Sequence, residues 1–244
     1  MTRTKKLLTA ALVLWVLLSA GAVFVFFSHR VSTSVTKADR AAIASFMAES
    51  GLTRLPSGPT PYDRQIAFLG AVQAAVLEAV PGNEGVPLNM CREPVNLLRS
   101  RSGLCYDRSR LLEKIFRAYG FKVRHAALYS LKSEDSSVLA VLMKPGAASH
   151  AVTEVLTARG WILVDPNAPF ISLDAKGFPV SLDHMAQDAE SRQIIYSKTY
   201  AAAMNPFYQR PFTVVYGLYS RHGRFYPPFD RVPDIAWGEF WENF

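Results

Sequence analysis

The chain has 244 residues, half of them hydrophobic, with 15 Pro and 14 Gly; this suits one substantial core and excludes a low-complexity or disordered protein. Its 27 Lys and Arg against 20 Asp and Glu give a net charge of +7, suited to anionic surroundings, yet no arginine-rich tail or aromatic stacking motif marks a nucleic-acid binder. Two cysteines are too few for a disulfide framework, and the five histidines form no HxxxH pair, so no metal and no cofactor is expected.

The chain opens with "MTRTKK" and an uncharged run from Leu7 to Phe27, which as a helix would span about 31 Å, enough to cross a bilayer. A signal peptide would be cut after the small residues Ala20 to Ala22, but the apolar run continues through Phe27, so residues 1–28 are expected to form an uncleaved anchor. With Arg3, Lys5 and Lys6 ahead of the span, the C-terminal part is expected to be exported, periplasmic or extracellular. Residues 29–60 read as a juxtamembrane helix and linker: a Ser/Thr-rich spacer, a short helix in "ADRAAIASFMAES", and the breaker "RLPSGPTP".

The folded domain is expected over 61–205. Ile66, Leu69, Val72, Val76 and Val80 recur at helical spacing, and a second helix starts near Cys105. "KVRHAALYS", "SHAVTEVL" and "GWILVDP" read as strands, and "LDHMAQDAESRQIIYSKTY" as a further helix. Helices followed by consecutive strands give an α+β fold with an antiparallel sheet. Residues 206–244, rich in aromatics and proline, read as an extended C-terminal extension packed over the domain.

Cys105 has three readings: core packing, a disulfide with Cys91, or a nucleophile. At 100° per residue, Ser109, Leu112 and Phe116 fall on its side of the helix, so the thiol lies at the amino-terminal end of a buried stripe. The unpaired N–H groups and positive dipole end of a first turn favour thiolate over thiol, and Arg101, Arg108 and Arg110 add positive charge. If Thr157 to Gly160 form a four-residue hairpin loop, Leu156 pairs with Trp161 and Glu154 with Leu163. His150 and Asp165 then become diagonal neighbours on one face, within reach of a hydrogen bond. A carboxylate orienting a histidine whose other nitrogen faces a thiol is the arrangement of a cysteine enzyme. Glu154 shares that face and reads as a rim salt bridge, and His125 as a polar residue of the core.

These residues resemble the transglutaminase-like superfamily, relatives of papain-type cysteine enzymes. The resemblance rests on Gly103, Leu104 and Cys105 running to Arg117, Ala118, Tyr119 and Gly120, on His150 and Ala151 with Glu154 and Val155, and on Trp161 with Asp165 and Pro166. It covers Asn89 to Pro166 and implies Cys105 as nucleophile, His150 as general base and acid, and Asp165 as the residue that orients it. The aromatic residue common two places after the histidine is Val152 here, and no side chain for an oxyanion hole is evident. The resemblance implies a transglutaminase-like α+β core, its cysteine helix packed on an antiparallel sheet. The expected function is a membrane-anchored cysteine hydrolase or acyltransferase acting on a peptide or protein amide, with an anionic envelope component as a further partner and no nucleic acid. The rival reading is a non-catalytic binding module for envelope peptide or glycan.

Overall fold

The computed structural model describes residues 3–52, 60–86, 92–131, 148–187, 194–200, 203–219 and 234–244. Cys91, His222 and most of the 54–61 breaker lie outside them. The chain begins with α1 (Arg3–Ser28), whose stretch Thr4–Phe24 is long and apolar enough to cross a membrane and buries nothing against the rest of the protein.

The helix expected between spacer and breaker is α2 (Lys37–Glu49). Its start is set by Thr36, whose hydroxyl accepts the Asp39 N–H at 3.1 Å while the Asp39 carboxylate accepts the Thr36 N–H at 2.8 Å; reciprocal caps of this kind contribute about 1 kcal/mol. Rather than standing apart beside the membrane, α2 puts Ile43, Phe46 and Met47 into the same core as α3 (Tyr62–Ala79). A short helix not evident from the sequence, α4 (Pro94–Ser100), starts on Pro94 and ends at Arg101 in the left-handed conformation, φ 52°.

Next comes α5 (Cys105–Ala118), buried on nearly every side. Its apolar residues Leu111, Leu112, Ile115 and Phe116 meet α3 and one face of the sheet. Its charged residues are buried in pairs. Lys114 Nζ lies 2.9 Å from Asp39 Oδ2 and 3.0 Å from Glu93 Oε2, and Arg110 reaches Glu93 at 2.9 Å and the Ser32 carbonyl at 2.7 Å. The spacer after α1 is thus fastened across α5.

The sheet comprises β1 (Lys122–Ser130), β2 (Ser149–Thr157), β3 (Gly160–Val164) and β4 (Phe212–Tyr216), antiparallel throughout in the order β3-β2-β1-β4. The hairpin register is the expected one: Leu156 opposite Trp161 and Glu154 opposite Leu163, with Thr157 paired to Gly160 across the turn. Gly160 sits at φ 129°, which a side chain would oppose. One face of the sheet carries Val123, Val155, Ile162 and Val164 against the helices; the other carries Ala126, Leu128, Val152 and Leu163 under α6 (Leu182–Gln187), Tyr208 and Phe212.

Two expectations need correction. The helix predicted from Leu182 to Tyr200 ends by Gln187 among the described residues, and 194–200 form a bridge and turn that hydrogen bond to the 171–175 segment. The extension beyond 206 is not merely laid over the domain: it supplies edge strand β4, then β5 (Leu218–Tyr219), β6 (Asp234–Ile235) and the terminal helix α7 (Trp237–Phe240).

Candidate active site

Three chain ends meet at one end of the sheet. Cys105 is the first residue of α5, His150 the second of β2, and Asp165 follows β3 directly. Because β2 and β3 are antiparallel, the start of one lies beside the end of the other, so hairpin register puts His150 next to Asp165. His150 Nε2 lies 3.0 Å from Asp165 Oδ2. The Cys105 thiol is hydrogen bonded to His150; with Nε2 committed to the carboxylate, Nδ1 is the nitrogen that faces sulfur.

The start of α5 is held by Asp107, not by a side chain at Leu104. The Asp107 carboxylate accepts the N–H groups of Leu104 at 2.9 Å and Val86 at 3.2 Å, and pairs with Arg92 Nε at 3.1 Å. Gly103 has no room for a side chain there, since a Cβ would stand 3.0 Å from the Asp107 Cβ. Cys105 is a free cysteine and partly exposed, whereas His150 is 5% and Asp165 0% exposed. Of the three residues, Cys105 is therefore the one nearest to solvent.

Asp165 accepts four hydrogen bonds. Oδ1 takes the N–H groups of Asn167 at 2.6 Å and Ala168 at 3.0 Å, and Oδ2 takes His150 and the Tyr208 hydroxyl, the latter at 2.5 Å. Burial alone would raise its pKa, but the His150 charge and these donors hold it below the usual carboxylate value. Burial would likewise lower His150; the Asp165 charge and hydrogen bond, with those of Cys105, outweigh it and push the imidazole up to about 10. For Cys105, burial works upward, and the hydrogen bond and charge of His150, with the N–H groups of Ala151 and Tyr106, bring the thiol below its ordinary value. The three directions agree on a thiolate–imidazolium pair backed by a carboxylate, an arrangement able to attack a carbonyl carbon and return a proton to its leaving group.

Several supporting side chains had not been anticipated. Gln73 of α3 donates to the carbonyls of Asp165 at 2.8 Å, Ala168 at 3.0 Å and Phe170 at 2.8 Å, fixing the loop that carries the carboxylate. A polar residue between Val72 and Val76 in a buried stripe was its legible signal. Arg108 bonds Asn167 Oδ1 at 2.6 Å and the Val80 and Gly82 carbonyls at 2.8 and 2.7 Å, and its charge is felt at Cys105 and Asp165. Tyr208 left no such signal, since it arrives from a distant part of the chain. With Phe207 it covers the imidazole, both ring centroids lying 6.0 Å from that of His150. Val152, at the position where the resemblance led to an aromatic being expected, is buried among these tail aromatics.

Other residues singled out in the sequence lie elsewhere. Of the three arginines, Arg101 is exposed and Arg110 is spent on Ser32 and Glu93. Glu154 is not a rim residue: at 0% exposed it pairs with Arg124 at 2.7 Å and accepts the Leu182 N–H at 2.7 Å, because α6 and β4 close over that face. His125, also 0% exposed, is paired with Glu113 at 2.6 Å on the helix side of the sheet, away from sulfur. Among the described residues no group of three or more His, Cys, Asp or Glu is placed to hold a metal ion.

Residues 69–166, from α3 through Asp165, match the family model of the transglutaminase-like superfamily. The α+β fold expected from the resemblance is the one observed, a cysteine helix packed on an antiparallel sheet. A solved structure named "a Putative Cysteine Protease from Cytophaga hutchinsonii" is similar to 82% of this chain at 15% identity and a TM-score of 0.34; the match spans 58% of that protein's length. No curated protein matches the chain. The matched residues run from within α3 to the Asp165 loop, and α2 and the segments beyond 166 pack against them.

Proposed function

We propose that this protein is a membrane-anchored, exported cysteine enzyme of the transglutaminase-like kind, acting on an amide through a thioester. Cys105 is the nucleophile, His150 the proton carrier and Asp165 the group that fixes and charges it. The observation that carries this reading is geometric: a free cysteine heads α5, hydrogen bonded to an imidazole whose Nε2 lies 3.0 Å from the Asp165 carboxylate, and the thiol shifted down with the imidazole up to about 10 accord with it. Merely structural packing of a cysteine has no need of that arrangement.

Sulfur attacks the carbonyl carbon, and the positive amino-terminal end of the α5 dipole favours the developing oxyanion. His150 gives its proton to the departing nitrogen, leaving a Cys105 thioester. Imidazole then takes a proton from water or a second amine, which attacks the thioester carbon, releases the acid or new amide and frees the sulfur as thiolate, restoring the thiolate–imidazolium pair. Every step up to the thioester is common to hydrolysis and transamidation, and we favour hydrolysis with a peptide or protein amide of the cell envelope as substrate. We assign residues 1–28 to the anchor, 29–60 to the segment joining it to the domain, 61–205 to the enzyme domain and 206–244 to an extension completing it.

Incubation with envelope-derived peptides and mass spectrometry of the intact chain tests the reading. A covalent acyl adduct on Cys105, removed by hydroxylamine and missing in Cys105→Ala, is expected. If no peptide acylates Cys105 and its alkylation rate at neutral pH is that of a free thiol, the cysteine-enzyme reading fails and the binding-module reading takes its place.

A further inference from the structure

The C-terminal segment returns to the end of α1. Ile235 accepts the Val31 N–H at 2.8 Å and donates to the His29 carbonyl at 2.8 Å, so β6 runs beside the chain leaving the helix. Trp237 stacks on Phe26 with centroids 4.6 Å apart and donates its indole N–H to the Phe26 carbonyl at 3.3 Å. From Trp237 the rings continue without a break: Phe240 at 5.7 Å, Phe244 at 5.9 Å from Phe240, and Trp241 at 6.0 Å from Phe244. Trp241 is 64% and Phe244 91% exposed. Among the described residues nothing covers Trp241 or Phe244, although burying either ring would be favourable.

The polar groups of the same segment turn the other way. Asp234 pairs with His29, Glu239 with Arg117, and Glu242 with Arg124 at 3.0 Å and Lys122 at 3.6 Å. Each side-chain carboxylate of residues 234–244 is thus engaged by a basic side chain, while Trp241 and Phe244 face outward. Indole and phenyl rings at the end of an apolar helix are the side chains that partition to the headgroup level of a bilayer, where the ring is buried and the N–H stays wet.

We infer that the aromatic cap Trp237–Phe240–Trp241–Phe244 is a membrane-interface contact, seating the domain on the lipid surface beside the end of α1. The occupant is a lipid headgroup layer because the cap is continuous with Phe26, at the end of the apolar helix. The inference takes from the proposed function only that α1 lies in a membrane; it does not depend on the cysteine chemistry. One consequence is orientation. Arg117, held by α7, and Cys105 lie at opposite ends of α5, about 18 Å apart along its axis. The thiol then opens at the end of α5 remote from the cap.

The test uses the full chain in vesicles of phosphatidylcholine and phosphatidylglycerol brominated near the headgroup. In a Trp15→Phe background, headgroup-level bromine is expected to quench tryptophan emission, and quenching should fall by about half in Trp241→Phe. Equal quenching in both chains overturns the inference. In the unsubstituted chain, Trp15 with lipids brominated deep in the acyl region reports insertion of α1. Deep quenching of Trp15 without shallow quenching of Trp241 sinks the cap and leaves the anchor standing; loss of both sinks both. Since Trp241 and Phe244 are exposed, Trp241→Ser with Phe244→Ser is expected to fold, to lose the shallow contact and to keep the Cys105 alkylation rate unchanged. A failure of the enzyme reading would appear in that rate and not in the quenching.

Discussion

Burial works against both halves of the Cys105–His150 pair, and opposite charge decides the outcome for each. The His150 pKa is raised from 6.5 to about 10, so its contribution to stability is complete below 6.5 and is lost as pH rises through about 10. The Cys105 pKa is lowered from 9.0, so its contribution is present above 9.0 and is lost as pH falls through the folded value. Amide cleavage should therefore rise with pH along a limb below the ordinary thiol value and fall along a second limb near pH 10, where His150 loses the proton it must donate. Rates measured from pH 4 to 11 check this, and a profile that still rises through pH 10 contradicts it. Tyr208→Phe keeps the ring and removes a donor that draws charge from Asp165, so the carboxylate holds the His150 proton more tightly, the upper limb should move up in pH, and kcat should fall by about tenfold with KM little changed. A structural role for Tyr208 would change stability without moving the limb. Glu154, buried rather than on the rim, shows what the residue scale leaves open in a sequence: alternation gave its face, but the layer covering that face is contributed from residues 182 and beyond.

At the scale of elements, the site depends on the β2–β3 register. Strand alternation has period two, so one residue inserted between Ala158 and Arg159 sets two demands against each other. Either the turn bulges and the register survives, or Asp165 turns to the opposite face from His150. The strained geometry at Gly160 and the tight pairing of Thr157 with Gly160 favour the second outcome. An inserted Gly is expected to lower amide cleavage by at least about a hundredfold, with secondary structure by circular dichroism retained. The loop beyond β3 depends instead on α3. Gln73→Leu removes the donor shared by three carbonyls and should destabilise the protein by about 2–3 kcal/mol in urea unfolding, while lowering activity through a looser Asp165. Both strands of the hairpin, α3 and α5 could be read from local periodicity. α4 could not: its Pro94–Ser100 span has too few turns for a period to show, and its burial at Leu97 comes from α2 and α5.

Across the whole molecule, α5 is the axis on which distant segments are fastened. Lys114, 1% exposed, joins Asp39 of α2, Glu93 and the Ser34 carbonyl. Lys114→Met would leave the Asp39 carboxylate buried without its partner and should cost about 3–5 kcal/mol, read as a lower Tm. Burial raises the Asp39 pKa, but Lys114 and the Thr36 cap bring it below 3.8 overall, so its stabilisation is present above pH 3.8 and lost as pH falls through the folded value. The variant should accordingly show a weaker dependence of Tm on pH below 4. One turn further along α5, Arg117 and the His125 N–H hold Glu239, and the tail that carries it runs back to α1.

The sequence by itself determined what depends on neighbours a few residues apart: the apolar span of α1, the stripe of α5 with Cys105 at its head, and a hairpin whose period of two aligns His150 with Asp165. The order and type of residues along Gly103–Cys105, His150–Ala151 and Trp161–Asp165 also gave the resemblance to the transglutaminase-like superfamily. Tertiary structure decided what depends on segments far apart in the chain. Tyr208 reaches Asp165 across 43 residues, Gln73 across 92, and the tail meets α1 across 211. Such contacts leave no period in the sequence, because each is set by how packed layers fit together and not by the pitch of a helix or the pleat of a strand.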